Sequence, residues 1–210
     1  MRNRSAHPCF FLAAVLAVVL VAGASRRAEA QIRIGADAGA FIPSGQFGDN
    51  VEPALALGGS LHYVLAKPHL AFGVTASHAT FRDIENRPDQ GNGPDLSLNS
   101  VQGSVQLSFP TGDEKMHAYV SLDGGLGQFS LGGTLPDMPG RTSVSAVVVT
   151  PSLGLRIALV EALELDVHVR YTYAVSNDFI RYGMLSSTKT VSGLVASIGA
   201  AYTFGSKKKY

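Results

Sequence analysis

Cysteine, tryptophan and charge are scarce in this chain, and each scarcity excludes something. Among 210 residues there is one cysteine, Cys9, and no tryptophan, and only 16% of residues are charged. Soluble proteins carry about a quarter charged residues, so a chain this poor in charge lacks an ordinary wet surface. With no cysteine beyond position 9, the rest of the chain has no disulfide, no thiolate metal site and no cysteine nucleophile. Four of the 17 Lys and Arg fall within the first 27 residues; from Gln31 onward 13 basic residues face 15 acidic ones, a net charge of −2. That balance excludes a strongly basic nucleic-acid binder, and a hydrophobic content of 46% excludes disorder. No apolar run after Gln31 approaches the ~18 residues of a transmembrane helix.

The N-terminus accounts for the excess of positive charge. Arg2 and Arg4 precede an unbroken apolar run of 13 residues from Phe10 to Ala22, and small residues then lead to Ala28-Glu29-Ala30. Basic, apolar and A-x-A regions in that order predict a secretory signal peptide over residues 1–30, cut before Gln31. The apolar run is shorter than the ~20 residues of a spanning helix. Cys9 precedes the run, away from the cut, so no lipid-modified cysteine is expected.

After Gln31, apolar residues recur at every second position, as in strands with one apolar face. Leu194, Ala196, Ile198, Ala200, Tyr202 and Phe204 share one side of a segment whose other side holds Gly193, Ser197, Gly199 and Thr203. The same reading predicts eight strands, at Ile32–Ile42, Ala54–Leu65, Leu70–Phe81, Leu96–Phe109, Met116–Leu131, Val144–Leu159, Glu164–Val175 and Thr190–Phe204. Short connections alternate with longer ones rich in Gly, Pro, Asp and Asn, residues suited to turns and loops. Pro151 interrupts the sixth strand and marks either a bulge or a misplaced strand start.

Eight antiparallel strands without helices leave two unpaired edges, which closure into a barrel removes. A soluble barrel would be apolar inside, and an outer-membrane barrel apolar outside with a packed polar interior. The less apolar faces carry mostly Gly, Ser, Thr, Ala and Gln instead of a coat of Lys and Glu. Short turns at one end with longer loops at the other, and strands longer than the ~9–11 residues needed to cross lipid, complete the case. The expected fold is all-β, an eight-stranded antiparallel up-and-down transmembrane barrel over residues 31–204, followed by a short basic tail at 205–210.

The end of the last strand, Ser197-Ile-Gly199-Ala-Ala-Tyr202-Thr-Phe204, resembles the C-terminal assembly signal of Gram-negative outer-membrane proteins: polar, x, Gly, two residues, aromatic, x, aromatic. The opening Ile32-Arg-Ile-Gly-Ala-Asp-Ala-Gly-Ala-Phe41 resembles the first strand of the small OmpX-like and OmpA-barrel group. The chain departs from that pattern by adding Gly205–Tyr210 after the terminal Phe. The resemblance implies export to the periplasm and residence in the outer membrane of a diderm bacterium. It also implies periplasmic chaperones and the barrel-assembly machinery as partners, lipids and lipopolysaccharide as surroundings, and a monomer.

Inward parity gathers Arg33, Asp37, His62, Asp123, Arg156, Asp166, His168 and Arg170. Asp166 and His168 can be read as an acid–base pair, or the set as an ion path. The preferred reading is a structural cluster, because buried charges must be paired and an eight-stranded interior is only wide enough for side chains. Arg170 is expected to pair with Asp37 or Asp123. Arginine at lipid-facing Val120 or Val169 is expected to be costly, and at inward Thr172 milder. On the outer wall, His78 and Thr80 have the two-residue spacing of the His and Ser used by some outer-membrane lipid A deacylases, with no carboxylate to orient them. Loop charges (Arg82, Asp83, Glu85, Arg87, Asp89, Asp95, Arg141, Asp178, Arg181) and Lys207–Lys209 read as solvated tips. No cofactor or metal is expected. The functional expectation is a non-catalytic outer-membrane barrel with a structural, adhesive or surface-interaction role. The alternatives are a small pore or solute-binding barrel, and a lipid A-modifying enzyme.

Overall fold

A computed structural model describes residues 31–49, 51–65, 69–81, 95–113, 115–132, 142–176 and 190–204. The expected signal segment, the charged loop tips other than Asp95 and the tail lie outside the described residues. Eight strands are formed: β1 (Gln31–Ser44), β2 (Ala54–Val64), β3 (Leu70–Phe81), β4 (Asp95–Pro110), β5 (Met116–Gly132), β6 (Thr142–Val160), β7 (Leu163–Val175) and β8 (Thr190–Phe204). Each pairs antiparallel with its chain neighbour, and β8 closes on β1, so the sheet is a barrel. A single turn, α1 (Gly45–Gly48), follows β1, with Gly45 at positive φ.

The ladder also fixes the barrel's geometry. From Ile32 the row of partners passes through Tyr63, Phe72, Val105, Leu122 and Pro151. It crosses β7 at Tyr171 and β8 at Leu194 and returns to β1 at Ile42, ten residues further on. With eight strands and ordinary strand spacings, that stagger tilts the strands by about 40°. Because the stagger is even, inward and outward faces stay in phase around the whole circuit.

Pro151 is not a bulge. It pairs with Leu122 on β5, while its pairing with β7 lapses between Val149↔Tyr173 and Ser152↔Arg170, in the same register on both sides. The missing donor is thus lost toward one neighbour only, and the strand continues through it. The irregularity in β6 lies instead between Ala158 and Val160, at the short turn into β7.

The outer wall is an apolar belt. Ile34, Leu61, Phe72, Val105, Val120, Leu122, Leu153, Val169 and Ile198 are all exposed. A soluble protein would not present such a surface to water, whereas hydrocarbon accommodates it. Toward the outer rim the wall turns polar on six of the eight strands, while β2 (Leu57, Leu55) and β7 (Tyr173, Val175) stay apolar. Above Ile42, Ala76, Val101, Leu126, Val147 and Leu194, the next outward residue is Ser44, His78, Asn99, Gln128, Ser145 or Ser192. At the opposite end Tyr202 and Phe204 stack edge to face on the outer surface, 4.6 Å between centroids, where an aromatic girdle belongs.

The interior differs from the sequence expectation in its outer half. Phe41, Phe81, Leu96, Leu98, Phe129, Val144, Val148, Val191 and Val195 point inward and are buried. Phe81, 0% exposed, takes the edges of Phe41 and of Phe47 from α1 at 4.9 and 5.3 Å. The polar lumen therefore occupies only the half nearer the chain's ends, and an apolar plug fills the other. Thr172, 7% exposed, lies within the closely packed interior. Crowding is what limits how mild arginine can be there, while Asp123, two strands along the same inward row, is a carboxylate within the same layer.

Candidate functional site

Two polar constellations are candidates, one inside the barrel and one on its wall. Inside, the side chains come from β1, β4, β5, β6 and β7, whose alternation turns each of them inward. Arg170 lies with its Nη2 3.3 Å from Asp37 Oδ2. Asp37 Oδ1 is 3.5 Å from His168 Nε2, and His168 Nδ1 is 3.3 Å from Asp166 Oδ1. Asp166 also receives the Tyr119 hydroxyl at 2.8 Å and Arg156 Nε at 3.2 Å. Arg156 donates through Nη2 to Gln106 Oε1 at 2.8 Å, and its guanidinium lies 4.3 Å from the Tyr119 ring centroid. The result is one chain of charges, Arg170–Asp37–His168–Asp166–Arg156, laid across the barrel.

Three charged residues stand apart from this chain. Arg33 approaches Glu164 at 3.9 Å. Asp123 is buried beside Ser104 in the ladder and makes no ion pair among the described residues. His62 is buried and lies 3.1 Å from the Ser104 hydroxyl through Nε2. Of the two carboxylates considered for Arg170, it is Asp37 that pairs with it.

Room for the charges comes from small neighbours. Asp37 is flanked in the ladder by Gly58 and Gly199, and a Cβ at either would strike its side chain. Gly154 similarly leaves space for the Tyr119 ring. Tyr119, Gln106 and Glu164 were not singled out from sequence, although each has the parity of an inward neighbour already named. The free space among these side chains is about 60 Å³. Waters fit there, but pockets for small-molecule ligands run to roughly 300–1,000 Å³.

On the wall, β3 and β4 bring together three outward side chains. His78 Nδ1 is 2.8 Å from Asn99 Oδ1, and His78 Nε2 is 3.0 Å from Thr80 Oγ1. Adjacent ladder pairing sets this up, since His78 is opposite Asn99 and Thr80 is two residues along on the same face. With an amide oxygen as acceptor, Nδ1 carries the ring hydrogen and Nε2 accepts from the threonine hydroxyl. The sequence spacing had offered His78 and Thr80 alone; Asn99 becomes visible only through the β3–β4 register. Beneath the trio runs a groove of about 340 Å³, lined by Leu57, Ala76, Val101, His78 and Asn99 among others.

Closed antiparallel topology, an apolar belt and a packed lumen define the class: a small eight-stranded outer-membrane barrel. No family model matches the chain, and no curated protein matches it in sequence. Among solved structures it is similar to Neisserial surface protein A, with a TM-score of 0.58 and 18% identity over 82% of this chain and 97% of that one. It is also similar to a major outer membrane protein from Thermus thermophilus, with a TM-score of 0.52 and 15% identity over 83% and 99% of the two chains. The outer membrane protein OprG from Pseudomonas aeruginosa gives a TM-score of 0.52 and 15% identity over 84% and 96%. At such identities the likeness is one of fold, the small eight-stranded barrel that the sequence resemblance implied.

Proposed function

We propose that this chain is a monomeric outer-membrane barrel whose lumen is a structural seal, and that its role is structural, adhesive or surface-interacting. The observation that carries this reading is the two-storey interior. A narrow polar half filled by paired charges is capped by a phenylalanine-rich plug, and hydrophobic constrictions dewet and block ions. The same plug argues against a pore, and the 60 Å³ of free space argues against a lumenal solute site. Asp166 and His168 serve packing in this reading, since both are committed to partners across the barrel. Neisserial surface protein A, with the same fold, is named for its place at the cell surface. Loops at the outer rim and the wall itself are the parts left free to meet lipopolysaccharide or another surface.

Planar-bilayer recording tests the seal. The refolded protein is expected to stay at baseline, and joint replacement of Phe41, Phe81 and Phe129 by serine is expected to produce conductance steps. Regular channels in the unaltered protein would overturn the reading.

Assembly is proposed to depend on Ser197, Gly199, Tyr202 and Phe204, working with periplasmic chaperones and the barrel-assembly machinery after cleavage before Gln31. The supporting observation is position: Phe204 pairs with Ile32 at the closing seam, and an open seam would leave backbone groups unsatisfied in lipid. Phe204→Ala is expected to leave precursor processing intact while unfolded protein accumulates in the periplasm. Deletion of Gly205–Tyr210 is expected to be tolerated. Pulse-labelling with fractionation reads both, and a normal assembly rate for Phe204→Ala would sink the idea.

A further inference from the structure

We propose that Thr80, His78 and Asn99 form a lipid-facing hydrolytic site for the fatty-acyl ester of an outer-leaflet lipid. This goes beyond the sealed-barrel reading and does not rest on it, because the lumen plays no part. Three observations converge. The hydrogen bonds run in the order that activates a hydroxyl: Thr80 Oγ1 to His78 Nε2 at 3.0 Å, and His78 Nδ1 to Asn99 Oδ1 at 2.8 Å. A base adjoining a nucleophile and oriented by a third group is how weak hydroxyl nucleophiles are made reactive.

Placement is the second observation. On β3 and β4 the outward face is apolar through Ala76 and Val101 and turns polar at His78 and Asn99. The trio therefore sits at the boundary between hydrocarbon and headgroups, the depth at which acyl chains join their ester oxygens. The groove beneath it is the third. Its 340 Å³ is floored by Leu57, Ala76 and Val101 and bordered by His78 and Asn99, so an acyl chain lying along it would bring its carbonyl to His78 and Asn99, one outward position below Thr80. The apolar belt continues below, so the occupant is a membrane lipid.

The chemistry balances with water as the only co-reactant. Thr80 Oγ1 attacks the acyl carbonyl carbon as its proton passes to His78 Nε2. The bond from that carbon to the lipid's alcohol oxygen breaks, and the alcohol leaves with the proton held by His78. Water, deprotonated by His78, then attacks the acyl-threonine; a free fatty acid departs and Thr80 regains its proton. Thr80 and His78 are the catalytic residues. Asn99 is a positioning residue that holds the ring in the required tautomer.

The full chain, refolded into vesicles, is incubated in two arms: one with glycerophospholipid alone, one containing lipopolysaccharide. Fatty-acid release is followed by mass spectrometry. Release in one arm supports the site and identifies the source of the ester. Thr80→Val and His78→Phe should each lower that release by roughly 10⁶-fold, to below detection, as loss of a nucleophile or its base does. Thr80→Ser should retain or raise it, Asn99→Leu should lower kcat and displace its pH profile, and Asn99→Asp should restore both. Heat-modified gel mobility verifies that each variant is folded. No release in either arm from both the unaltered protein and Thr80→Ser, or release that persists in folded Thr80→Val, overturns the proposal. Neither result bears on the conductance test, so the two readings fail separately.

Discussion

Arg156→Ala is expected to destabilise the barrel by about 3–5 kcal/mol, since removing one member of a buried ion pair leaves its partner's charge uncompensated. Arg156 is 6% exposed and holds Asp166, Gln106 and the face of Tyr119 at once. Its removal leaves Asp166 with only neutral Tyr119 and His168, whose other nitrogen faces Asp37. The asymmetry of buried pairs supplies the control. Replacing Arg156 by Met and Asp166 by Leu together removes both charges while preserving volume, and is expected to be near neutral. Reversible urea unfolding of the protein in lipid vesicles, followed by tyrosine fluorescence or by gel mobility, measures both. A loss below about 1 kcal/mol for Arg156→Ala would show that the cluster is not energetically coupled as described.

Val169→Arg is expected to cost about 2–4 kcal/mol by the same measurement, the range for a basic residue near the bilayer midplane on a barrel's lipid face. Val169 is 43% exposed and surrounded in its row by Leu153 and Ala196, all outward and apolar. Arginine cannot meet water there without dragging it into the hydrocarbon or bending toward the interface. Thr172→Arg should be milder, limited by lumen crowding, because its inward row passes level with Thr150 to Asp123, a buried carboxylate without an ion pair among the described residues. Equal tolerance at Val169 and Thr172 would mean that the two faces have been exchanged.

The strands were legible because alternation is a local property. A residue's parity depends only on its own segment, and the turn residues between segments punctuate it. From parity came the inward set Arg33, Asp37, Asp123, Arg156, Asp166, His168 and Arg170, all of which face the lumen. Parity failed in the outer half, where Ala40-Phe41-Ile42, Val147-Val148-Val149 and Leu194-Val195 are apolar on both sides. With no contrast between faces, the phenylalanine plug could not be told from more lipid-facing wall.

Sequence by itself thus determined the architecture: eight alternating segments, too greasy on one side for water and too small on the other for anything but a narrow interior. Tertiary structure alone decided who meets whom. Arg156 meets Asp166 because the β6–β7 register sets them opposite each other, and Asp37 reaches His168 and Arg170 because β8 closes on β1. Asn99 reaches His78 because the β3–β4 register places them opposite each other. Register is a property of closure: each strand's offset must sum correctly around the ring, so no segment carries it alone. Facing is written in every second residue, whereas meeting is written only in the whole barrel.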